Sequence, residues 1–434
     1  MLRHRILVVG VAAILLTGVA GVFGLRHGGG QVVDDGPAAA AAPADRLGAA
    51  ITVAQQRLHT VPGDYVTWAE LGSAYIEKAR VSADPSYYPK AEGALRRSLQ
   101  LRPHDNATAL IGLGALANAR HDFAHARDLA EQALDIDSYS ADAYGVLADA
   151  HTQLGHPAAA TEAVQHMLDL RPGLPAYARA SYDLEQHGRL DEAAALMRRA
   201  LDAAIDPADI AFCRYQLGEL AWQQGRFDEA STDYRAGLDA DASYLPLLDG
   251  QARLAAAEGR TSEAVTDYAN LTARYPSPGY LIEYADLLTA SGQPDQARAQ
   301  LGLASAGLAL FTANGGTDDL GAAQLALSEN KPAQAVAAAK REWSRRHFAD
   351  VADTLAWALH QAGSDREALT YAKRATSSGA RSASYLFHLG SIEDSLGRTG
   401  DARRDLAAAL ALNPQFSPRY APVAAAALAR LGAR

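Results

Sequence analysis

The 434-residue sequence has a single cysteine, Cys213, and only five lysines. One cysteine excludes an intramolecular disulfide and argues against a Cys/His zinc site, so we interpret Cys213 as a small packing residue. The net charge is −10. A protein that binds nucleic acid presents a basic surface to the phosphates. We therefore expect no nucleic-acid partner.

The motifs of common enzyme classes are also missing. The sequence has no P-loop, no G-x-S-x-G, no H-E-x-x-H and no nucleotide-binding glycine fingerprint. No strand-rich segment is present that could carry such a motif. We predict a protein that is not an enzyme, with no catalytic residues, cofactor or metal. An enzyme with an unrecognised helical active site is the remote alternative.

An uncharged, mostly apolar run extends from Ile6 to Leu25 and follows the basic tripeptide Arg3-His4-Arg5. Twenty such residues can cross a bilayer as a helix, and basic residues before the span favour a cytoplasmic N-terminus. We predict that residues 1–26 form a signal anchor or, alternatively, a signal peptide with a cleavage site near Ala20. The repeats then lie on the outer side of the cytoplasmic membrane, held by a single span, or are secreted.

A short pattern recurs along the rest of the chain, in which a turn glycine is followed five residues later by alanine. Its clearest copy is Gly225-Arg226-Phe227-Asp228-Glu229-Ala230. Gly225 and Gly259 are 34 residues apart (259 − 225), and so are Gly363 and Gly397 (397 − 363). A period of this length is typical of helix-turn-helix repeat arrays. The sequence resembles the tetratricopeptide repeat (TPR) family.

The resemblance implies an all-α superhelical solenoid of about ten helix-turn-helix repeats. The family pattern has small residues at repeat positions 8 and 20, where the two helices approach closely. Ten registers in this sequence place alanine at position 20: Ala91, Ala126, Ala160, Ala193, Ala230, Ala264, Ala297, Ala335, Ala368 and Ala402. We expect each of these alanines to be buried.

Composition and spacing also predict how the chain is divided. Residues 27–46 are rich in Gly, Ala and Pro, which indicates a flexible linker. The loop signal Asn314-Gly315-Gly316 predicts a joint between a first sub-array, residues 47–310, and a second sub-array, residues 311–434. Within the second sub-array, Tyr420 to Leu431 is predicted to be a helix that caps the open end of the stack.

TPR arrays usually bind extended peptides or helices in a concave groove that the first helix of each repeat lines. The corresponding positions of this sequence carry mostly acidic and aromatic side chains. The predicted protein-binding residues are Arg179, Tyr182, Glu185, Tyr215, Gln216, Glu219, Trp222, Asp249, Arg253, Glu283, Asp286, Asp353, Trp357 and His360. Carboxylates pair with basic side chains and aromatic rings supply contact area, so a basic or amphipathic segment of a protein or peptide partner is expected. The alternative is a solvated face that binds nothing.

These observations predict a non-enzymatic scaffold or adaptor that mediates protein–protein interaction at the outer side of the cytoplasmic membrane. The alternative is an accessory subunit of a transport, secretion or cell-envelope machine, which differs in having one obligate membrane partner. Some TPR proteins hold a peptide C-terminus with a Lys/Asn/Arg clamp. The predicted groove lacks that constellation, which argues against recognition of a terminal carboxylate.

Overall fold

The computed structural model describes residues 43–377 and 379–433, and within these ranges every regular element is an α-helix. The helices are α1 (Pro43–Thr60), α2 (Tyr65–Ser82), α3 (Tyr87–Leu101), α4 (Ala107–Ala119), α5 (Phe123–Ile136), α6 (Ala141–Leu154), α7 (Pro157–Leu170), α8 (Leu174–Gln186), α9 (Leu190–Asp202), α10 (Pro207–Gln223), α11 (Phe227–Ala240), α12 (Pro246–Ala257), α13 (Thr261–Arg274), α14 (Pro278–Ala290), α15 (Pro294–Ala313), α16 (Asp319–Ser328), α17 (Pro332–Arg345), α18 (Ala349–Gln361), α19 (Asp365–Thr376), α20 (Ala383–Ser395), α21 (Thr399–Leu412) and α22 (Ala421–Gly432).

Helices α2 to α21 form ten successive helix-turn-helix pairs, numbered here repeat 1 (α2 and α3) to repeat 10 (α20 and α21). The prediction of an all-α solenoid of ten repeats is confirmed. Helix α22 packs on α21, as expected of a cap, and α1 packs on α2 ahead of repeat 1. Helix α1 has no repeat signature, so the sequence pattern gave no sign of it.

The predicted division of the chain stays a prediction, although two of the predicted boundaries fall inside helices. Helix α1 begins at Pro43, inside the predicted linker 27–46, and α15 continues past residue 310, where the predicted joint falls. The predicted anchor or signal segment, residues 1–26, lies outside the described residues. None of the helices in the described ranges combines the length and the apolar character of a membrane span.

Local sequence chemistry sets where the helices begin. The side chains of Asp64, Asn106 and Asp122 each accept a hydrogen bond from a backbone N–H in the first turn of the following helix. Other helices start with proline, as α7 does at Pro157, where the missing N–H leaves no hydrogen bond unmade. Together these residues fix where the helices begin.

The small residues of the repeat pattern lie where the two helices of a repeat meet. All ten position-20 alanines are buried, with at most 3% of the surface of any one exposed. A β-carbon added to Gly72, at position 8 of repeat 1, would lie 3.2 Å from the carbonyl oxygen of Ala91. In repeat 5, a β-carbon on Gly218 would lie 2.2 Å from the Tyr234 ring. The expected close approach of positions 8 and 20 is therefore confirmed.

The solenoid winds so tightly that its second turn contacts its first. The turn inside repeat n meets the loop that follows repeat n + 5, for n from 2 to 5. We call this line of contacts the seam; it joins residues 120–122, 154–156, 187–189 and 222–226 to residues 315–318, 346–348, 379–381 and 412–414. Its hydrogen bonds run from Thr317 N to Arg120 O (3.0 Å), from His347 N to Leu154 O (3.2 Å) and from Asn413 Nδ2 to Trp222 O (2.7 Å).

Repeat 1 continues the same relationship, because the Tyr275 hydroxyl, in the loop after repeat 6, donates to the carbonyl oxygen of Arg80 (2.9 Å). Two residues paired across the turns are 195 positions apart here and 191 positions apart at Asn413 and Trp222. One superhelical turn therefore takes between five and six repeats. The edges of the first and second turns therefore lie against each other along the seam.

Candidate protein-binding cavity

A cavity of about 250 Å³ lies where the concave faces of repeats 4 to 7 meet repeats 9 and 10. The first helices α8, α10, α12 and α14 form one wall. The other wall consists of Asp350 on α18, the start of α20, and the loops before and after repeat 10. The lining residues are Tyr182, Glu185, Gln186, Tyr215, Gln216, Glu219, Trp222, Gln223, Arg253, Ala256, Ala257, Tyr268, Glu283, Asp286, Leu287, Asp350, Ala380, Arg381, Ser382, Ala383, Ser384, Tyr385, Asn413, Gln415, Phe416, Ser417 and Pro418.

Most of the predicted groove residues meet at this cavity. The nine that line it are Tyr182, Glu185, Tyr215, Gln216, Glu219, Trp222, Arg253, Glu283 and Asp286. They come from four consecutive repeats, whose first helices present positions 5, 6, 9 and 12 to the same space. That they bind a partner stays a prediction, but the structure brings them together.

A buried ion pair occupies the middle of the concave wall. Arg253 pairs with Glu219 and, through Nε, with Asp249 (3.1 Å). The Tyr234 hydroxyl donates to Glu219 at 2.5 Å, and the Arg253 guanidinium lies 5.4 Å from the centre of the Trp222 ring. A hydroxyl and a second carboxylate support this buried ion pair, although Arg253 Nε itself makes no hydrogen bond within the described ranges.

Three further carboxyl groups of the lining, those of Glu185, Glu283 and Asp350, have no ion-pair partner within the described ranges. Gln223 donates to Glu185 (2.5 Å), the Tyr268 hydroxyl donates to Glu283 (3.1 Å), and the Tyr385 hydroxyl donates to Asp350. Each group is thus oriented by a neutral donor, and for Glu283 and Asp350 the only nearby positive charges acting on them are Arg253 and Arg346, which form no direct ion pair with them in the described ranges.

Burial is the main cause of the raised pKa values of these three groups, because it disfavours the charged form. It raises the pKa of Glu185 to about 7 and that of Asp350 to about 6, and like charges nearby add to both effects. The pKa of Glu283 is raised well above its ordinary value by burial and then by the neighbouring Asp249 carboxylate. A cation placed among them would favour their ionised forms.

The cavity as a whole carries an excess of acidic groups. Five carboxyl groups (Glu185, Glu219, Glu283, Asp286 and Asp350) line it together with two arginines, Arg253 and Arg381, and a third arginine, Arg419, pairs with Asp286 from outside the lining. Aromatic rings lie between the carboxyls: Tyr182, Tyr215, Trp222, Tyr268, Tyr385 and Phe416. Carboxylates and aromatic faces are the two kinds of group that attract a guanidinium or ammonium ion.

The other five predicted groove residues lie outside the cavity lining. Asp249 pairs with Arg253 on the side away from the cavity lining, and Arg179 forms a buried ion pair with Asp149 (2.8 Å). His360 contacts Asp365 across the turn of repeat 9 (2.5 Å).

Asp353 and Trp357, on the concave side of repeat 9, are covered by the next helices of the chain. Asp353 accepts from His388 of α20 (2.9 Å), while Trp357 stacks on the His388 ring at 4.2 Å and meets Tyr420 edge-on at 6.0 Å. Here the expected groove surface is instead an interface between repeats 9 and 10 and the start of α22.

Sequence reasoning also missed the second wall of the cavity. Asp350 occupies position 2 of repeat 9, so the register that predicted Asp353 could have predicted it as well. Tyr385 and the loop residues around Phe416 carry no repeat signal, because they reach the cavity only through closure of the superhelix. Among the described residues, no group of three or more His, Cys, Asp or Glu side chains is arranged to hold a metal ion.

Comparison with known proteins agrees with the repeat pattern. The tetratricopeptide repeat family model matches residues 213–244, in repeat 5, and residues 383–416, in repeat 10. No curated protein sequence gives a significant match to this chain.

Several solved structures are similar to this chain. A thermophilic TPR protein of Thermus thermophilus is 21% identical over 42% of this chain and 94% of its own, with a TM-score of 0.38. Yeast Tom70 is 16% identical over 82% of this chain and 86% of its own, with a TM-score of 0.41. The Cut9–Hcn1 hetero-tetramer of the APC/C is 13% identical over 89% of this chain and 90% of the matched chain, with a TM-score of 0.40.

Two segments match the family model, ten helix pairs share its small-residue positions, and the pairs stack into a superhelix with a concave first-helix face. The described part of the chain thus folds as a TPR-like solenoid, and two of its segments match the tetratricopeptide repeat model.

Proposed function

We propose that this protein is a non-enzymatic scaffold that binds a basic segment of a partner protein through the acidic, aromatic cavity. The proposal depends on one observation: three carboxyl groups of the cavity, those of Glu185, Glu283 and Asp350, lack an ion-pair partner within the described ranges. Such groups are costly to ionise in the free protein, because burial and nearby charges of the same sign disfavour the charged form. A bound cation offsets that cost.

The size of the cavity restricts the form of the ligand. An α-helix with its side chains is about 10 Å across, which is too wide for a space of about 250 Å³. We therefore propose that one or two arginine or lysine side chains of the partner enter the cavity, while the partner's backbone stays outside. The planar guanidinium of arginine can accept two carboxylates and stack on a ring at once, so arginine is the better fit.

Peptide binding tests this proposal directly. Calorimetry would compare the binding of tetra-arginine to the protein with the binding of tetra-glutamate. We expect tetra-arginine to bind and tetra-glutamate not to bind. The double variant Glu185→Gln/Asp350→Asn should bind tetra-arginine at least tenfold more weakly, because a hydrogen bond to a charged group contributes about 1.5–3 kcal/mol. The matched control is Asp228→Asn/Glu229→Gln, which removes two exposed carboxylates of α11.

The pH dependence gives a second test. A cation binds the ionised carboxylates, so tetra-arginine affinity should rise between pH 6 and pH 8 and protons should be released on binding. Equal affinity for both peptides, or no effect of the cavity variant, would refute the proposal.

The location of the protein is part of the proposal. The basic tripeptide and apolar run of residues 1–26 support a single membrane anchor, with the repeats on the outer side of the cytoplasmic membrane. Protease protection of intact spheroplasts tests this, since digestion of the repeats from outside is expected. A photoreactive residue at Gln216, in the cavity, with Arg235 on the exposed side of α11 as control, would then identify the partner in the cell.

A further inference from the structure

The segment that joins repeat 10 to α22 runs along the cavity. We call residues 413–420 the C-terminal strap. Asn413 donates to the carbonyl oxygen of Trp222 (2.7 Å), the Phe416 ring lines the cavity, and the Arg419 guanidinium donates to Asp286 (2.6 Å). Two of the repeats that build the acidic wall are thus held by the chain's own C-terminal residues.

The contact between Arg419 and Asp286 has the chemistry proposed for the partner. Asp286 is a concave-face carboxylate, and both side chains of the ion pair are nearly buried, with 12% of Arg419 and 10% of Asp286 exposed. Burial raises the pKa of Asp286, and the Arg419 charge opposes that effect. A basic side chain of the protein itself therefore occupies one acidic position of the cavity.

We infer that the C-terminal strap is an autoinhibitory element, which covers the cavity in the free protein and is displaced by a basic partner. The inference rests on the proposed function, because it requires that the partner and Arg419 compete for the same acidic wall. If the uncovered state is a minor one, the partner's apparent affinity is reduced by the fraction of molecules in that state.

The two parts of the C-terminal strap are held differently: Tyr420 is packed in an apolar core, and the residues before it are held by polar contacts. Tyr420 is fully buried and lies 5.1 Å from the Phe387 ring, measured between ring centres. The residues before it hold the cavity wall mainly through polar groups, at Asn413 and Arg419. Displacement can therefore open the cavity while Tyr420 and α22 stay packed on repeat 10.

Thiol labelling measures access to the cavity without any ligand. The chain's own buried cysteine is removed by Cys213→Ala, and Gln216→Cys places one thiol in the cavity lining. In this background we expect Arg419→Ala to raise the labelling rate at least fivefold. The matched control is Arg430→Ala, which breaks an ion pair with Asp394 on the same C-terminal region but outside the cavity.

The same variants are then titrated with tetra-arginine. We expect Arg419→Ala to bind it about tenfold more tightly than the unaltered chain, and Arg430→Ala to match the unaltered chain. If Arg419→Ala loses its helical circular dichroism, Asn413→Ala, which leaves the Arg419–Asp286 pair in place, serves as the second variant with the same expected results.

The outcomes separate the two proposals. Unchanged labelling, or equal tetra-arginine affinity in the strap variants and the unaltered chain, overturns autoinhibition and leaves the proposed function standing. Faster labelling with no tetra-arginine binding in any variant supports the strap as a cover of the cavity and refutes the proposed function.

Discussion

Gly188 touches Gly379 across the two turns of the solenoid: a β-carbon on Gly188 would lie 2.2 Å from the Gly379 carbonyl oxygen. Gly188 also has a left-handed backbone, with a φ of 71°. Gly363 occupies the corresponding turn of repeat 9 with a φ of 80°, yet a β-carbon there would meet nothing within 4 Å. Gly363 therefore needs glycine only for its left-handed backbone, whereas Gly188 needs it also for the lack of space at the seam.

We predict that Gly188→Ala destabilises the protein more than Gly363→Ala. Both variants incur the left-handed conformation of a residue with a β-carbon, about 1–2 kcal/mol. Only Gly188→Ala also forces the seam apart, which adds roughly 1–3 kcal/mol. Urea unfolding of the two variants measures the difference, and equal midpoints would mean that the seam contributes nothing in solution.

The interior of repeat 5 gives a second prediction. Ala230 is fully buried, so Ala230→Leu should lower the free energy of unfolding by about 1–3 kcal/mol through overpacking. Thr232→Leu, at an exposed position of the same helix, is the control and should change it by less than about 0.5 kcal/mol. Thermal unfolding compares them. An unchanged thermal midpoint for Ala230→Leu would contradict the assigned repeat register.

Arg346 is a buried charge at the seam. It pairs with Glu342 and donates to Gln153 of repeat 3, and only 4% of its surface is exposed. Arg346→Met should cost about 1–3 kcal/mol, because buried Gln153 loses its donor and Glu342 keeps only Arg345 as an ion-pair partner.

Arg341→Met is the control for this variant. It breaks the ion pair between Arg341 and Asp319, in which 58% of the Arg341 side chain is exposed. A cost of about 0–1 kcal/mol is expected for such a pair. Denaturant unfolding of the two variants tests the contrast, and a similar cost for both would contradict the buried network.

The cavity carboxyls predict an unusual dependence of stability on pH. The pKa of Glu185 is about 7 in the folded protein and 4.5 as its ordinary value. Between these values the folded protein holds a proton that the unfolded chain releases, so stability falls as the pH rises from about 4.5 to about 7. Asp350, with a pKa of about 6, adds to the same trend.

Glu185→Gln tests this directly by unfolding at pH 5 and pH 8. We expect the variant to reduce the loss of stability between the two pH values by roughly 2 kcal/mol, since one pKa unit corresponds to about 1.4 kcal/mol. Glu229→Gln, at an exposed carboxyl of α11, should leave the loss unchanged. A loss that is identical in Glu185→Gln and the unaltered chain would contradict the raised pKa.

The sequence predicts the repeat well because each repeat is specified locally. Caps such as Asp122, the turn glycines and the small residues at positions 8 and 20 act within about 34 residues of one another, so their effects can be recognised one repeat at a time. Helix α1 was missed for the same reason, because it belongs to no repeat.

The cavity could be predicted only in part. Residues of one wall, such as Tyr215 and Glu219, follow from the register of the first helices. The opposite wall depends on the rotation between successive repeats. This rotation accumulates over about five repeats and so places Tyr385 and Phe416 opposite the first wall. No single repeat encodes that sum, and Trp357 was placed in the groove because the covering by Tyr420 could not be foreseen.

The seam also changes how the protein is expected to unfold. In a linear repeat array each repeat stabilises only its neighbours, so the ends can fray independently. Here Trp222 is hydrogen-bonded to Asn413, 191 positions away. Contacts of such long range slow folding and tie distant segments into one cooperative unit. Removal of repeats 8 to 10 would therefore loosen the turns of repeats 3 to 5 as well as expose the end of repeat 7. Loss of either end of the chain would weaken the middle repeats through the seam.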